Sequence, residues 1–421
     1  MVGASSWPFM NWESQTPNDN QLPNNDASHG ENRLVVSPEG PEDGGDFGPK
    51  TPGTQTSGLQ EAFDAAKLQR KDLYIAGGSW TLDQNDPVVY TLNETLRIPW
   101  MQDFCLEGGH YVIQYTPEQG DAVRIDSQMS CRYQFGIISS NSSGAVVRLS
   151  PETVGPDRFK VITSSKFYFN ALVGGGGAWP GGEPFNSELN SAIRRIGTGL
   201  WCDGTPGSID ANAIEVTEIV GCERGLFLEG ATSHQMIQAT NIHLCHEHLV
   251  IGDAKDARPH GNDIHAYLNS EGIRRSVGAR IFGSDNHLQL KIGQMSALND
   301  LILESSSKGN MITAATLPHG LTTRSVDPSN RVFSADVAKW FPGSPPIPKS
   351  KQAYANAYVT PVEVRFNEPG IVSRWSIQTS SGQVQTFPGP MNPGTSLILN
   401  PGDIIAMEYE EAPGWTWRAI S

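Results

Sequence analysis

Three carboxylates stand at matching places in this chain. Gly199-Leu-Trp-Cys-Asp203-Gly204 aligns with Gly225-Leu-Phe-Leu-Glu229-Gly230, and each segment closes on an acid followed by glycine. Leu249-Val-Ile-Gly-Asp253 carries its acid one position later, and Leu301-Ile-Leu-Glu304 repeats the theme. On neighbouring strands, about 4.8 Å apart, Asp203 and Glu229 would lie roughly 5 Å apart, and Asp203 and Asp253 about twice that. Such separations bracket the retaining and inverting arrangements of glycosidases. A stacked acid also has a raised pKa, as a general acid needs. Asp203, Glu229 and Asp253 are therefore the candidate catalytic residues. Acids before glycine also suit strand exits into turns, so a purely structural role fits the same pattern.

Trp201 and Phe227 alternate with Leu200, Cys202, Leu226 and Leu228, which places the two aromatics on the opposite, outward face. Outward aromatics stacked beside acids can hold sugar rings, which offer apolar faces and polar edges. A subunit interface or a covering loop would use the same residues. His243, His246, His248, His260 and His265 crowd one stretch with Glu247 and Asp263. Their spacing is not a zinc pattern and no Cys-x-x-Cys accompanies them, so no metal and no cofactor are expected. His246, Glu247, His248, Asp263, His265 and Arg274 are read instead as lining a substrate groove. Gly252 to Gly261 lengthens its segment, as insertions on one face of a solenoid do.

The elements that must position these residues show themselves as a repeat. Asn212-Ala-Ile214, Gln235-Met-Ile237, Asn262-Asp-Ile264, Asn286-His-Leu288 and Asn310-Met-Ile312 share an amide, any residue, then a branched aliphatic, at spacings of 23, 27, 24 and 24. A period this short cannot hold a βαβ unit. It suits a coil of short strands, each pairing with the same strand one turn later. Amides in one column would then hydrogen-bond as a ladder, which favours in-register stacking because an unpaired buried amide is costly. Upstream, Val123 and Ile125 recur more weakly as Val146 and Arg148 at the same offset. Ser57-Gly-Leu-Gln60 reads as a capping box before a short helix with Leu59, Ala62, Phe63 and Ala66 on one face. That helix would cover the open end of the coil. Leu73-Tyr-Ile-Ala-Gly-Gly-Ser-Trp-Thr-Leu82 follows as strand, glycine turn and strand.

This order of helix, Leu73–Leu82 segment and repeated Asn-x-Ile…Gly-Leu-x-Leu rungs resembles the pectin-lyase-like β-helices, which include polysaccharide lyases, glycoside hydrolases and phage tailspikes. The Cys222-Glu-Arg-Gly-Leu-Phe-Leu228 rung is similar to rungs of the phage-type proteins. The resemblance implies an all-β chain: a right-handed parallel β-helix with an N-terminal capping helix. It also implies carbohydrate recognition and a homotrimer. The paired-aspartate motif of polygalacturonases is missing, and so is a rung of clustered Arg and Lys like that of pectate lyases.

The flanks read differently. Residues 1–50 are polar and rich in Asn, Asp, Pro and Gly, and read as an extended arm; 51–316 hold the β-helix. Residues 317–353, with six prolines, read as a linker. From residue 354 to 421 alternating strands around an Asn400-Pro-Gly-Asp403 turn predict a small antiparallel β-sandwich.

Bulk composition narrows the function. In 421 residues, 30 Lys+Arg against 45 Asp+Glu give a formal charge of −15. An acidic surface disfavours nucleic acid, and it argues against a lyase for acidic polysaccharide. No apolar stretch is long enough to insert in a membrane. Five cysteines in no dense framework argue against a disulfide-built fold. The first residues lack the basic and apolar regions of a secretory signal. The expectation is an extracellular or virion-associated glycoside hydrolase acting on a neutral or weakly charged polysaccharide or cell-surface glycan. The rivals are a non-catalytic glycan-binding adhesin or virion component, and a polysaccharide lyase.

Overall fold

The computed structural model describes residues 32–78, 80–81, 84–85, 87–155, 159–174, 196–269, 276–293, 299–323, 327–341 and 343–420. The described chain is built almost wholly of short strands that pair in parallel with strands one turn away. Two long sheets result. Sheet 1 runs from Arg33–Val36 through Asp72–Ile75, Cys105–Gly108, Arg132–Ser140, Lys166–Val173, Ala213–Val220, Met236–His243, Asp263–Asn269, His287–Ile292 and Met311–Ala314 to Arg331–Phe333. Sheet 2 runs from Leu96–Ile98 through Val123–Ile125, Ala145–Leu149, Thr198–Asp210, Arg224–Ser233, Glu247–Ile251, Val277–Ile281 and Asn299–Leu303 to Leu321–Thr323. Every pairing along these two paths is parallel, which makes the body a right-handed parallel β-helix. Leu, Ile, Val and Phe from both sheets fill one continuous interior, in which Tyr133 and Phe167, and Phe135 and Phe169, stack on successive rungs.

The amide column forms as the spacing requires. Asn212 Nδ2 donates to Gln235 Oε1 at 3.1 Å, and Gln235 N donates to Asn262 Oδ1 at 3.0 Å. Asn262 Nδ2 to Asn286 Oδ1, Asn286 Nδ2 to Asn310 Oδ1 and Asn310 Nδ2 to Asn330 Oδ1 follow at 2.9, 2.9 and 2.8 Å. All six side chains are buried, so each amide finds in its neighbour the partner that water no longer supplies.

The coil extends past its expected bounds at both ends. Arg33–Val36, expected in the polar arm, pairs with Asp72–Ile75 and opens sheet 1. Leu321–Thr323 and Arg331–Phe333, expected in the linker, add the last rung, and Asn330 continues the amide ladder. The helix α1, Leu59–Gln69, buries Leu59, Ala62, Phe63 and Ala66 against the first rungs. Its start differs from the expected box. Gly58 is the N-cap with φ of 81°, Thr56 Oγ1 accepts from Gln60 N, and Ser57 Oγ donates to Thr91 O. The Gln60 side chain instead pairs with both the N–H and the C=O of Arg97, so α1 satisfies the edge strand of sheet 2. The upstream repeat also runs one residue out of the expected phase. Val123 pairs with Val147 and Ile125 with Leu149, which aligns Arg124 with Arg148.

Two small antiparallel sheets complete the chain. Ala353–Ala355, Ile371–Gln378, Val384–Pro388 and Ile404–Glu411 form one, and Val362–Glu368, Ser396–Leu399 and Gly414–Ala419 the other. They enclose a separate core that includes Val364, Phe366, Met407, Trp415 and Trp417. Asn400 N and Nδ2 donate to Asp403 Oδ2 at the turn foreseen there. Phe341 packs against this core and against the β-helix core alike.

Candidate active site on the outer face of sheet 2

Sheet 2 presents one in-register row outward: Arg97, Arg124, Arg148, Trp201, Phe227, Val250, Arg280, Ile302 and Thr322. The row from Arg97 to Ile302 arises because each of those members sits between two inward apolar residues, as in Leu96-Arg97-Ile98, Val123-Arg124-Ile125 and Val147-Arg148-Leu149. Three of its four arginines, Arg97, Arg124 and Arg148, occupy three successive rungs rather than one rung. Sequence reasoning misses them because the repeat offset puts the upstream rungs one residue out of phase. The apolar-Arg-apolar triplet is the signal that finds them.

Asp203 and Glu229 are register partners on adjacent strands, followed by partnered Gly204 and Gly230. The two acids are shifted in opposite directions. Asp203 is 1% exposed. Its Oδ2 accepts from Arg148 Nε at 3.0 Å and also from Arg148 Nη2, and its Oδ1 accepts from Thr205 N at 3.0 Å and from the Thr205 hydroxyl. Burial alone would raise its pKa, but the bonds from Thr205 and Arg148 outweigh it and hold the carboxyl below its usual range. Thr205 reaches Asp203 from a bulge, because three residues between Gly204 and Ser208 have no partner on the next strand. Gly204 and Gly230 are required here: a Cβ on Gly230 would lie 2.2 Å from the Gly204 carbonyl carbon. The glycine after each acid is thus set by close rung packing.

Glu229 is half-buried and shifts the other way. Burial raises its pKa first, ionised Asp203 and Asp253 raise it further, and the Trp201 indole N–H, 3.1 Å from Oε2, opposes them. Asp253 stands one residue past Gly252, in the loop where the chain leaves the adjacent rung. Its Oδ1 accepts from Lys255 N and Asp256 N, both at 2.7 Å, which shapes that loop. The Asp256–Arg258 pair of the same loop also acts on Glu229 electrostatically.

The aromatic pair is less open than its alternation suggests. The Trp201 and Phe227 ring centroids are 5.7 Å apart, but Phe227 is 2% exposed and cannot serve as an open sugar platform. The Arg224 guanidinium lies 4.6 Å over its ring, and Arg148 lies 3.9 Å over Trp201. Trp201 stays partly exposed. Glu247 faces this row and holds Arg280 at 2.8 Å and Arg224 at 3.6 Å; Arg280 also reaches Glu304 at 2.7 Å.

The remaining candidates disperse. His248 does not line a groove: it is fully buried, with Nδ1 3.0 Å from Val277 O and Nε2 3.1 Å from Asn269 O. His246 lies at the preceding turn, 3.9 Å from Glu223. Asp263 and His265 belong to sheet 1, where Asp263 Oδ1 meets His265 Nε2 at 3.3 Å and His287 Nδ1 at 3.1 Å. Arg274 falls outside the described residues. No cluster of three or more metal-ligating side chains occurs among the described residues. Cys222 and Cys245 are buried free thiols. Along the same face as Trp201, a cavity of about 240 Å³ opens between α1 and the arginine row, lined by Gln60, Asp64, Arg97, Arg124, Asp126 and Glu152.

No family model matches this sequence, and no curated protein matches it either. Solved structures do resemble it. The Dettilon tailspike protein aligns over 92% of this chain and 94% of its own, at 9% identity and a TM-score of 0.30. The Acinetobacter phage vB_ApiP_P1 tailspike protein aligns over 91% and 86%, at 8% identity and 0.31. Pantoea stewartii WceF, described as a glycan biofilm modifying enzyme with a tailspike-like parallel β-helix, aligns over 89% of this chain and 60% of its own, at 8% and 0.23.

Proposed function

We propose that this β-helix binds a polysaccharide on the outer face of sheet 2 and hydrolyses it with Glu229 as general acid. The observation that carries this reading is the opposite shift of two neighbouring carboxyls. Glu229 is pushed toward its protonated form by burial and by ionised Asp203 and Asp253, while Arg148 and Thr205 keep Asp203 charged. A carboxyl pushed toward its protonated form beside a charged neighbour is the arrangement that a glycosidase general acid needs. Asp203 has both oxygens occupied and almost no exposure, so its part is to set the field at Glu229. Asp253, half-exposed on the adjacent rung, is the partner carboxylate that would activate water or attack the sugar. Trp201 orients Glu229 through its indole N–H and offers its free edge to the glycan. The cavity at Arg97 and Arg124 extends the binding face toward α1. The reading needs no cofactor, carries an extracellular or virion-associated setting with it, and includes a homotrimer.

A second reading, glycan binding without cleavage, is favoured by the covered Phe227 ring and by the arginine lying on Trp201. Incubation with a panel of polysaccharides separates the two. New reducing ends, lost in Glu229→Gln, support hydrolysis. Unsaturated product would instead mean elimination, and binding without any product would mean the adhesin.

A further inference from the structure

The corner where sheet 2 passes into sheet 1 carries two imidazoles that the glycan site does not use. His234 and His260 sit on adjacent rungs, with His234 N donating to His260 O at 3.3 Å. Their rings meet edge to face, with centroids 5.5 Å apart. Each ring has its Nδ1 already engaged by an acceptor that has no hydrogen to give. His234 Nδ1 lies 2.8 Å from Asp210 Oδ1, which also accepts from Ser233 Oγ at 2.9 Å. His260 Nδ1 lies 3.0 Å from Arg258 O. Both neutral rings therefore carry their proton on Nδ1 and leave Nε2 as a bare lone pair.

The geometry brings the His234 ring against the segment that carries His260. A Cβ on Gly261 would lie 3.3 Å from His234 Nε2, so that nitrogen faces the rung that carries His260. Gly261 has φ of 65° and no side chain, which leaves the space beside Nε2 clear. Two imidazoles bound to one tetrahedral ion at about 2.0–2.1 Å place their ring centroids roughly 5 Å apart. The observed centroid spacing of 5.5 Å is close to that value. A carboxylate behind one ligating histidine and a carbonyl behind the other are the partners that fix tautomer and ring direction in metal sites.

We propose that His234 and His260 form a two-histidine site for an imidazole-preferring divalent ion of the zinc, nickel or copper class, with Asp210 as the positioning residue behind His234. Water completes the coordination shell. Both rings are exposed, so the ion enters directly from solvent and exchanges readily.

Calorimetric titration of the full chain with Zn²⁺ at neutral pH tests this. One ion should bind per chain, and binding should weaken as pH falls below the imidazole range, because protons compete for Nε2. His234→Ala and His260→Ala should each lower affinity at least about tenfold, and Asp210→Asn about 10- to 100-fold. His287→Ala, at the separate Asp263 pair, should leave it unchanged. Circular dichroism should match the wild type for every variant, since both rings are on the surface. No binding by the wild type, binding undiminished in His234→Ala and His260→Ala, or binding lost only in His287→Ala would overturn the proposal.

Discussion

Arg148 and Asp203 close a charge pair across neighbouring rungs, with Arg148 Nε 3.0 Å from Asp203 Oδ2 and the guanidinium face 3.9 Å over Trp201. One side chain thus anchors a buried acid and covers an aromatic ring at once. Arg148→Ala should destabilise the fold by about 3 kcal/mol at neutral pH, because it leaves a buried carboxylate without its counter-charge. Urea midpoints measure this. The pair also sets a pH dependence. Asp203 has a depressed native pKa, so its contribution is complete above the unfolded value of about 3.9 and is lost as pH falls through the native one. Asp203→Asn should flatten that acid limb.

His248 should give a second and distinct pH dependence. Burial lowers its pKa to about 4, while both ring nitrogens face backbone carbonyls. The native ring is therefore neutral, whereas the unfolded one takes a proton near its ordinary value of about 6.5. Stability present above that value should fall by roughly 3 kcal/mol as pH drops from about 6.5 to about 4. Urea midpoints across that window should slope in the wild type and stay level in His248→Gln.

The amide ladder should be the most sensitive part of the interior. Asn286 accepts from Asn262 N and Nδ2 and donates to Asn310, all in the buried column. Asn286→Ala leaves donors on one side and an acceptor on the other without that partner. The expected cost is about 2–4 kcal/mol in the urea midpoint. Asn93→Ala, on an exposed turn, is the control and should cost less than about 0.5 kcal/mol.

The rungs differ in how plainly their residues announce them. The amide spacing specifies the rung, because a buried amide has few other ways to be satisfied, and the shared Gly-Leu start and acid-Gly end align Asp203 with Glu229 despite the three-residue bulge that follows. The Val123–Leu149 region lacks such amides in matching positions, so its phase slips by one residue and hides the arginine row. His248 misleads for a local reason. It aligns with Gly225 and Gly278 at the start of the strand, where the chain still turns inward and simple alternation fails. Phe227 alternates as expected, but its burial depends on Arg224 and on packing outside its own strand. Period-2 patterning says which face a side chain leaves from, and nothing about what later covers it.

The pH profile of cleavage carries the sign of the Glu229 shift. A general acid must be protonated, so kcat/KM should fall as pH rises through a pKa above the ordinary glutamate range. Asp203→Asn removes an ionised neighbour and should move that limb to lower pH. An unmoved limb would mean that the titrating group lies elsewhere.

The most direct test compares the wild type with Glu229→Gln on a polysaccharide that the wild type cleaves, measuring reducing-end release and binding on the same samples. The predicted result is a fall in cleavage of about 10²- to 10⁴-fold with binding retained, as expected when a general acid is removed. Cleavage unchanged in the variant would contradict Glu229 as the acid.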